Sequence, residues 1–351
     1  MTNSPTTTAE HDLLTLWHSL LGPNPASDNV FDVGDDSLHA ARLVVELKRR
    51  GYPVTMPMLI EHPTLASLTP VLTGPPAHPD PQFTDLWQTA SPRWAGTPRS
   101  TLVSIADGIG TPFFFVHWGS GNITFLRSVA DRFRRGHPVF GFESIGIRER
   151  RRPPLSIPEL AELYLTELYR VQPHGPYLLG GICSGCDIAY EMACRITDSG
   201  HQVGFLALIN GPRPGLRQVD AGWGPADLYN LRLARMQTLT GAYDLAEEMP
   251  RMMAVLQKIG YIDDDAEPAD FYWHTAVWGA LAFAQQHYEP RTYRGHAHVF
   301  QTAETAETAG ADWSSIAPNA EQTVIEVDNS IDLMATSTFA TLVQQKIVDV
   351  W

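Results

Sequence analysis

One decapeptide constrains this chain more than any other stretch: Leu178-Leu179-Gly180-Gly181-Ile182-Cys183-Ser184-Gly185-Cys186-Asp187, continuing into Ile188-Ala189-Tyr190-Glu191-Met192-Ala193. A strand-like apolar run enters it and a helix-like run leaves it, so the backbone must turn from strand to helix around Cys183. Glycines at 181 and 185 relieve a turn too tight for flanking side chains. The helix beginning there aims its free amides and the positive end of its dipole at Cys183, which favours a thiolate nucleophile. The same residues admit two other readings, a junction with a merely buried cysteine and, through Cys183-Ser184-Gly185-Cys186, thiol-disulfide chemistry. Ser184 is a poorer nucleophile candidate, because its own flanks are Ile182 and Cys186 and the glycines frame Cys183 alone.

The surroundings of that turn set the fold. From Thr101 onward, short apolar strands are expected at 102–105, 113–116, 139–142, 177–179, 205–209, 298–300 and 323–327. Helical stretches lie between several of them, at 123–134, 157–171 and 184–197, with a last one over 338–350. Strands alternating with helices imply a doubly wound, mainly parallel sheet, whose sites lie at the carboxyl ends of the strands. The three cysteines all fall between Cys183 and Cys194, too crowded to staple a fold, so they point to chemistry or packing. A net charge of −14 argues against nucleic acid or an anionic membrane as partner. The polar N-terminus and the absence of a span-length apolar run lead us to expect a cytoplasmic protein.

Upstream, residues 1–73 read as a separate small helical unit, followed by a proline-dense linker over 74–99 that is expected to be an extended, semi-stiff spacer. Helices are expected at 11–21, 38–50 and 64–72, and Phe31-Asp32-Val33-Gly34-Asp35-Asp36-Ser37-Leu38 lies before the second. That element resembles the attachment loop of peptidyl and acyl carrier proteins, a small all-α four-helix family. The resemblance implies 4′-phosphopantetheine on Ser37, beside Asp36, and a phosphopantetheinyl transferase as a partner. A serine starting a helix can also be just its cap, and Asp36 could share that duty. The unit has eight acids and four bases, a net −4 that suits docking to basic patches on partner enzymes.

Residues 100–351 resemble the thioesterase domains that end nonribosomal peptide and polyketide synthases, which are α/β-hydrolases with a helical lid. The resemblance is carried by Phe115-Val116-His117-Trp118-Gly119-Ser120-Gly121-Asn122 and by Gln172-Pro173-His174-Gly175-Pro176-Tyr177 running into the Gly-x-Cys-x-Gly turn. It implies oxyanion donors at the Ser184 amide and around Trp118 and Gly119, a lid over about 222–288, and a substrate, acyl or aminoacyl, tethered to a carrier in an assembly line of synthase proteins. The lid's Met236, Met249, Met252 and Met253 read as packing.

The family's Ser, Asp and His triad is altered at every position. Cys183 replaces serine, Asn210 stands at the strand end that usually holds the acid, and Val327-Asp328-Asn329-Ser330-Ile331-Asp332 has no histidine. An alcohol without a base is nearly inert, whereas a thiolate exchanges thioesters without one. Hydrolysis of an acyl-cysteine needs activated water, so we expect transfer to Cys183 and onward to an acceptor. His117 is the best substitute base, with Asp328 and Asp332 behind it, and Asn210 could orient a histidine or polarise a carbonyl. Release by hydrolysis or cyclisation through such a base, and a degenerate module that only shelters its cargo, remain the alternatives.

Overall fold

The computed structural model describes residues 13–19, 29–31, 36–50, 52, 54–69, 81–90, 100–214, 223–242, 244–258, 261–308 and 310–348. The attachment-loop residues 32–35 lie outside these, as does most of the linker.

The N-terminal region is helical throughout what is described: α1 (13–19), α2 (Asp36–Arg49), α3 (Met56–Glu61) and α4 (Leu65–Leu68). Thr55 caps α3 through its side chain, and Thr64 caps α4 in a reciprocal pair with Ser67. Then comes α5 (Pro81–Thr89), where an extended spacer was expected. Proline at its first position suits a helix start, and Phe83, Leu86 and Trp87 form an apolar stripe at helical spacing. The density of prolines up to Pro81 hid that stripe.

The seven expected strands are all present: β1 (Leu102–Ala106), β2 (Phe113–Val116), β3 (Val139–Phe142), β4 (Tyr177–Ile182), β5 (Val203–Ile209), β6 (Ala297–Thr302) and β7 (Ala320–Ile325). They form one sheet in the order β1-β3-β2-β4-β5-β6-β7. Only β1 with β3 is antiparallel; every other neighbouring pair is parallel. Alternate residues of the central strands feed two separate cores. Leu179, Leu206 and Leu208 join one face, with α7 (Ile157–Val171) and α8 (Gly185–Asp198). Leu178, Phe205, Ala207 and Ile209 join the other, with α6 (Leu126–Phe133). Burial on both faces is why these strands read as unbroken apolar runs.

Three long helices fill the expected lid region, α9 (Pro225–Thr240), α10 (Leu245–Lys258) and α11 (Pro268–Gln286). Short α12 (Ala303–Ala306) and α13 (Ser330–Ala335) and the longer α14 (Ser337–Val348) complete the chain. Contacts divide it into two compact units. One comprises Met1–Thr89, Trp223–Ile259 and Asp264–Gly279, and the other Ala90–Gly222, Gly260–Asp263 and Ala280–Trp351. The sequence boundaries 1–73, 74–99 and 100–351 therefore differ from the packing, in which the helical N-terminal region and most of the lid share a unit. No helix among the described residues is long and apolar enough to cross a membrane.

Candidate active site

Cys183 stands between β4 and α8 with φ of +51°, in the left-handed region that a non-glycine residue enters only when its surroundings force it there. The flanking glycines explain how the chain turns so sharply. A Cβ on Gly181 would meet the Gly185 carbonyl oxygen at 2.5 Å, and one on Gly185 would meet the His117 carbonyl oxygen at 2.3 Å. The turn is pinned by the Cys183 amide donating to Ile209 at 2.8 Å. Cys183 is half-buried, and its Sγ lies 3.9 Å from Ser184 Oγ. Among the described residues no backbone or side-chain acceptor takes the amides of Ser184, Trp118 or Gly119, the three expected oxyanion donors.

The elbow is held from behind by a residue that no local pattern announced. Gln285 Nε2, itself buried, donates to the Ser184 carbonyl at 3.0 Å and to Asp187 Oδ2 at 2.6 Å. The loop after β2 is tied down by Trp118 Nε1 donating to Asn122 Oδ1 at 2.9 Å and by Asn122 Nδ2 donating to the Tyr261 carbonyl at 2.8 Å.

The other two cysteines are structural. Cys186 is fully buried, directs its thiol at the Gly181 carbonyl 3.3 Å away, and belongs to the core opposite the one that Cys183 packs against. All three are free thiols, and the two cysteines of the Cys-x-x-Cys face apart, so thiol-disulfide chemistry has no basis in the geometry. Burial pushes the Cys194 thiol up to about 12.

Asn210 also has positive φ, +50°. Its Oδ1 accepts from the Thr302 amide at 3.0 Å and the Thr302 hydroxyl at 3.1 Å, while its Nδ2 donates to Ser330 Oγ at 3.2 Å. The carboxamide thus spans from the end of β6 to the segment that lacks a histidine. There Asn329 caps α13, accepting from the amides of Ile331 and Asp332, and Asp328 and Asp332 are exposed. Ser330 is a member of this arrangement that the sequence reading passed over.

His117 is corrected. It is fully buried, its Nδ1–H donates to the Trp118 carbonyl at 2.7 Å, and its Nε2 lies 3.0 Å from the Tyr164 hydroxyl. Tyr164 belongs to the core opposite Cys183, so the imidazole is turned away from the elbow although its backbone adjoins it. Burial outweighs the Trp118 bond and lowers its pKa from 6.5 to about 4. It is a structural histidine, not a base for Cys183.

Residues 111–332 match the family model described as a thioesterase domain. The chain belongs to the thioesterase family. Residues 11–70 match the model described as a phosphopantetheine attachment site. Among curated proteins, the chain is 30% identical over 225 residues to indigoidine synthase of Streptomyces lavendulae, covering 63% of this chain and 16% of that protein. It is 29% identical over 194 residues to atromentin synthetase nps3 of Serpula lacrymans, covering 53% and 18%. The chain thus spans less than a fifth of either relative. Among solved structures, holo-AB3403, a four-domain nonribosomal peptide synthetase bound to AMP and glycine, aligns with all of this chain and 27% of its own (TM-score 0.58, 20% identity). The NocB thioesterase domain, in covalent complex with a fluorophosphonate nocardicin G analogue, aligns with 70% of this chain and 99% of its own (TM-score 0.52, 19% identity). At those identities the likeness is one of fold.

The chain is therefore a carrier region that bears 4′-phosphopantetheine, followed by a thioesterase domain. Ser37, the expected attachment position, is the second residue of α2. When attached, the group presents a thiol that carries acyl chains as thioesters.

Proposed function

We propose that Ser37 is the attachment position and that Cys183 accepts an acyl or aminoacyl group from a carrier-bound thioester and passes it to an acceptor. Cys183 Sγ attacks the thioester carbonyl carbon, a new sulfur–carbon bond forms, the carrier's sulfur leaves, and the thiol proton of Cys183 ends on that sulfur. The amides of Ser184 and of Trp118 or Gly119 steady the oxyanion that develops between these events. Reactant and product are both thioesters, so the exchange is close to balanced and demands no strong base.

The observation that carries this reading is the pairing of Asn210 with Thr302 and Ser330, where the family keeps an acid and a histidine. A carboxamide in a serine's company neither takes a proton from water nor raises the basicity of a neighbour. The acyl-cysteine is thus spared hydrolysis and awaits a second nucleophile. The setting we infer is a nonribosomal peptide or hybrid assembly line, in line with the two synthases that the chain resembles.

The match to the thioesterase model also supports a second reading, chain release as free acid or ring. One experiment separates the two. The phosphopantetheinylated protein is loaded with an isotope-labelled acyl group, and the carrier and thioesterase peptides are weighed after proteolysis. Label that moves to the Cys183 peptide and stays there until an acceptor thiol is added supports the shuttle. Label released promptly as acid or ring supports the second reading, and label that never leaves Ser37 refutes both.

A further inference from the structure

One face of α2 is covered by α9. α2 buries Ala40, Val44 and Leu47 on one stripe and Ala41 and Val45 on another. α9 packs against it within the same compact unit, and Phe83 of α5 lies 5.3 Å from Tyr229 of α9. At the edge of this contact is a buried charge. Glu46 of α2 is 5% exposed, and its Oε2 accepts from Trp223 Nε1 at 2.9 Å, the indole itself being 4% exposed. Arg50 Nε reaches the other oxygen at 3.1 Å and Arg49 Nη1 lies 3.5 Å from Oε2.

We propose that Glu46 and Trp223 form a reversible latch that docks the carrier on α9 and so competes with phosphopantetheinyl transferase for α2. Two features make the contact reversible. Burying the carboxylate carries a desolvation penalty that its hydrogen bonds only roughly offset. The helices also meet imperfectly, leaving a cavity of about 380 Å³ between Val44, Val45 and Lys48 on one side and Asn230, Leu233 and Gln237 on the other. Ser37 lies on the same helix, nine residues before Glu46, a rise of about 13 Å. An enzyme acting on Ser37 must settle against α2, and α9 already covers part of it. The transferase joins Ser37 Oγ to the β-phosphorus of coenzyme A, releases adenosine 3′,5′-bisphosphate and takes up the serine proton, so its rate reports how often α2 is undocked.

The inference rests on the assignment of Ser37 and is independent of Cys183. The test is transfer from a fluorescent coenzyme A to the full-length apo chain at limiting transferase, comparing wild type with Trp223→Phe, which keeps an aromatic ring but loses the N–H together with part of the indole's packing. A charge-assisted hydrogen bond of this kind is expected to raise the undocked population, and the rate, about tenfold when lost. Equal rates overturn the proposal. Should Trp223→Phe fail to fold, Glu46→Ala, which removes the acceptor, carries the same expectation and the same refutation. Label on the wild-type chain at any residue other than Ser37 would overturn the attachment assignment instead, which keeps the two failures distinct.

Discussion

The buried state of His117 makes a pH prediction that separates a structural imidazole from a catalytic one. In the unfolded chain this histidine titrates near 6.5, and in the fold near 4, because desolvation disfavours the cation. Above pH 6.5 both states are neutral and the group contributes no pH dependence. Between 6.5 and 4 the unfolded chain binds a proton that the folded chain refuses, so stability falls as pH falls. Below 4 both states are protonated and the loss levels off at about 3 kcal/mol. Urea unfolding of wild type and of His117→Gln, from pH 7.5 to 4, checks this. Glutamine is polar and does not titrate, so the difference between the two unfolding free energies should shrink by that amount across the window. Parallel curves for the two proteins would refute the buried placement and return His117 to the list of bases.

Three further outcomes follow from the elbow. Gly185→Ala drives a Cβ to 2.3 Å from a backbone oxygen that has nowhere to go, and should destabilise the protein by about 2 kcal/mol or more in thermal unfolding while abolishing acylation; an unchanged melting temperature would contradict the close approach. Cys183→Ser should be as inactive in acyl transfer as Cys183→Ala, since no base stands against it among the described residues, and a serine variant that turns over would reveal one. Brief treatment of the apo protein with iodoacetamide near neutral pH should label Cys183 alone of the three cysteines, because Cys186 and Cys194 are sealed in the core; fragment mass spectra showing early label at either would refute that burial.

Much of the thioesterase fold was legible because it is written in local patterns. The central strands are buried on both faces, so they announced themselves as apolar runs, and Gly181-x-Cys183-x-Gly185 fixed the place of the turn. What escaped the sequence is what depends on distant partners. Ser330 is 120 residues from Asn210, Gln285 is 101 from Ser184, and Trp223 is 177 from Glu46. No periodicity encodes such pairs. His117 was misjudged for a related reason. Its backbone lies beside the elbow as the loop predicts, but which way the ring points is decided by Tyr164, on a helix 47 residues later. In the linker the error was local, since the prolines outweighed a two-turn stripe that begins at Phe83.

The departures from the family triad agree with one another in chemical terms. On the proposed reading, the thiol of Cys183 is a nucleophile that can act alone, and Asn210 and Ser330 are neutral where a proton relay would make water reactive. The most direct test of that account is the lifetime of the acyl group on Cys183 in plain buffer, followed by intact mass after the carrier has been loaded and the donor removed. The account predicts an adduct that persists through the time course and discharges on addition of a small thiol. Loss of the adduct to water as free acid at about 1 per second or faster, an ordinary enzymatic turnover, would contradict it.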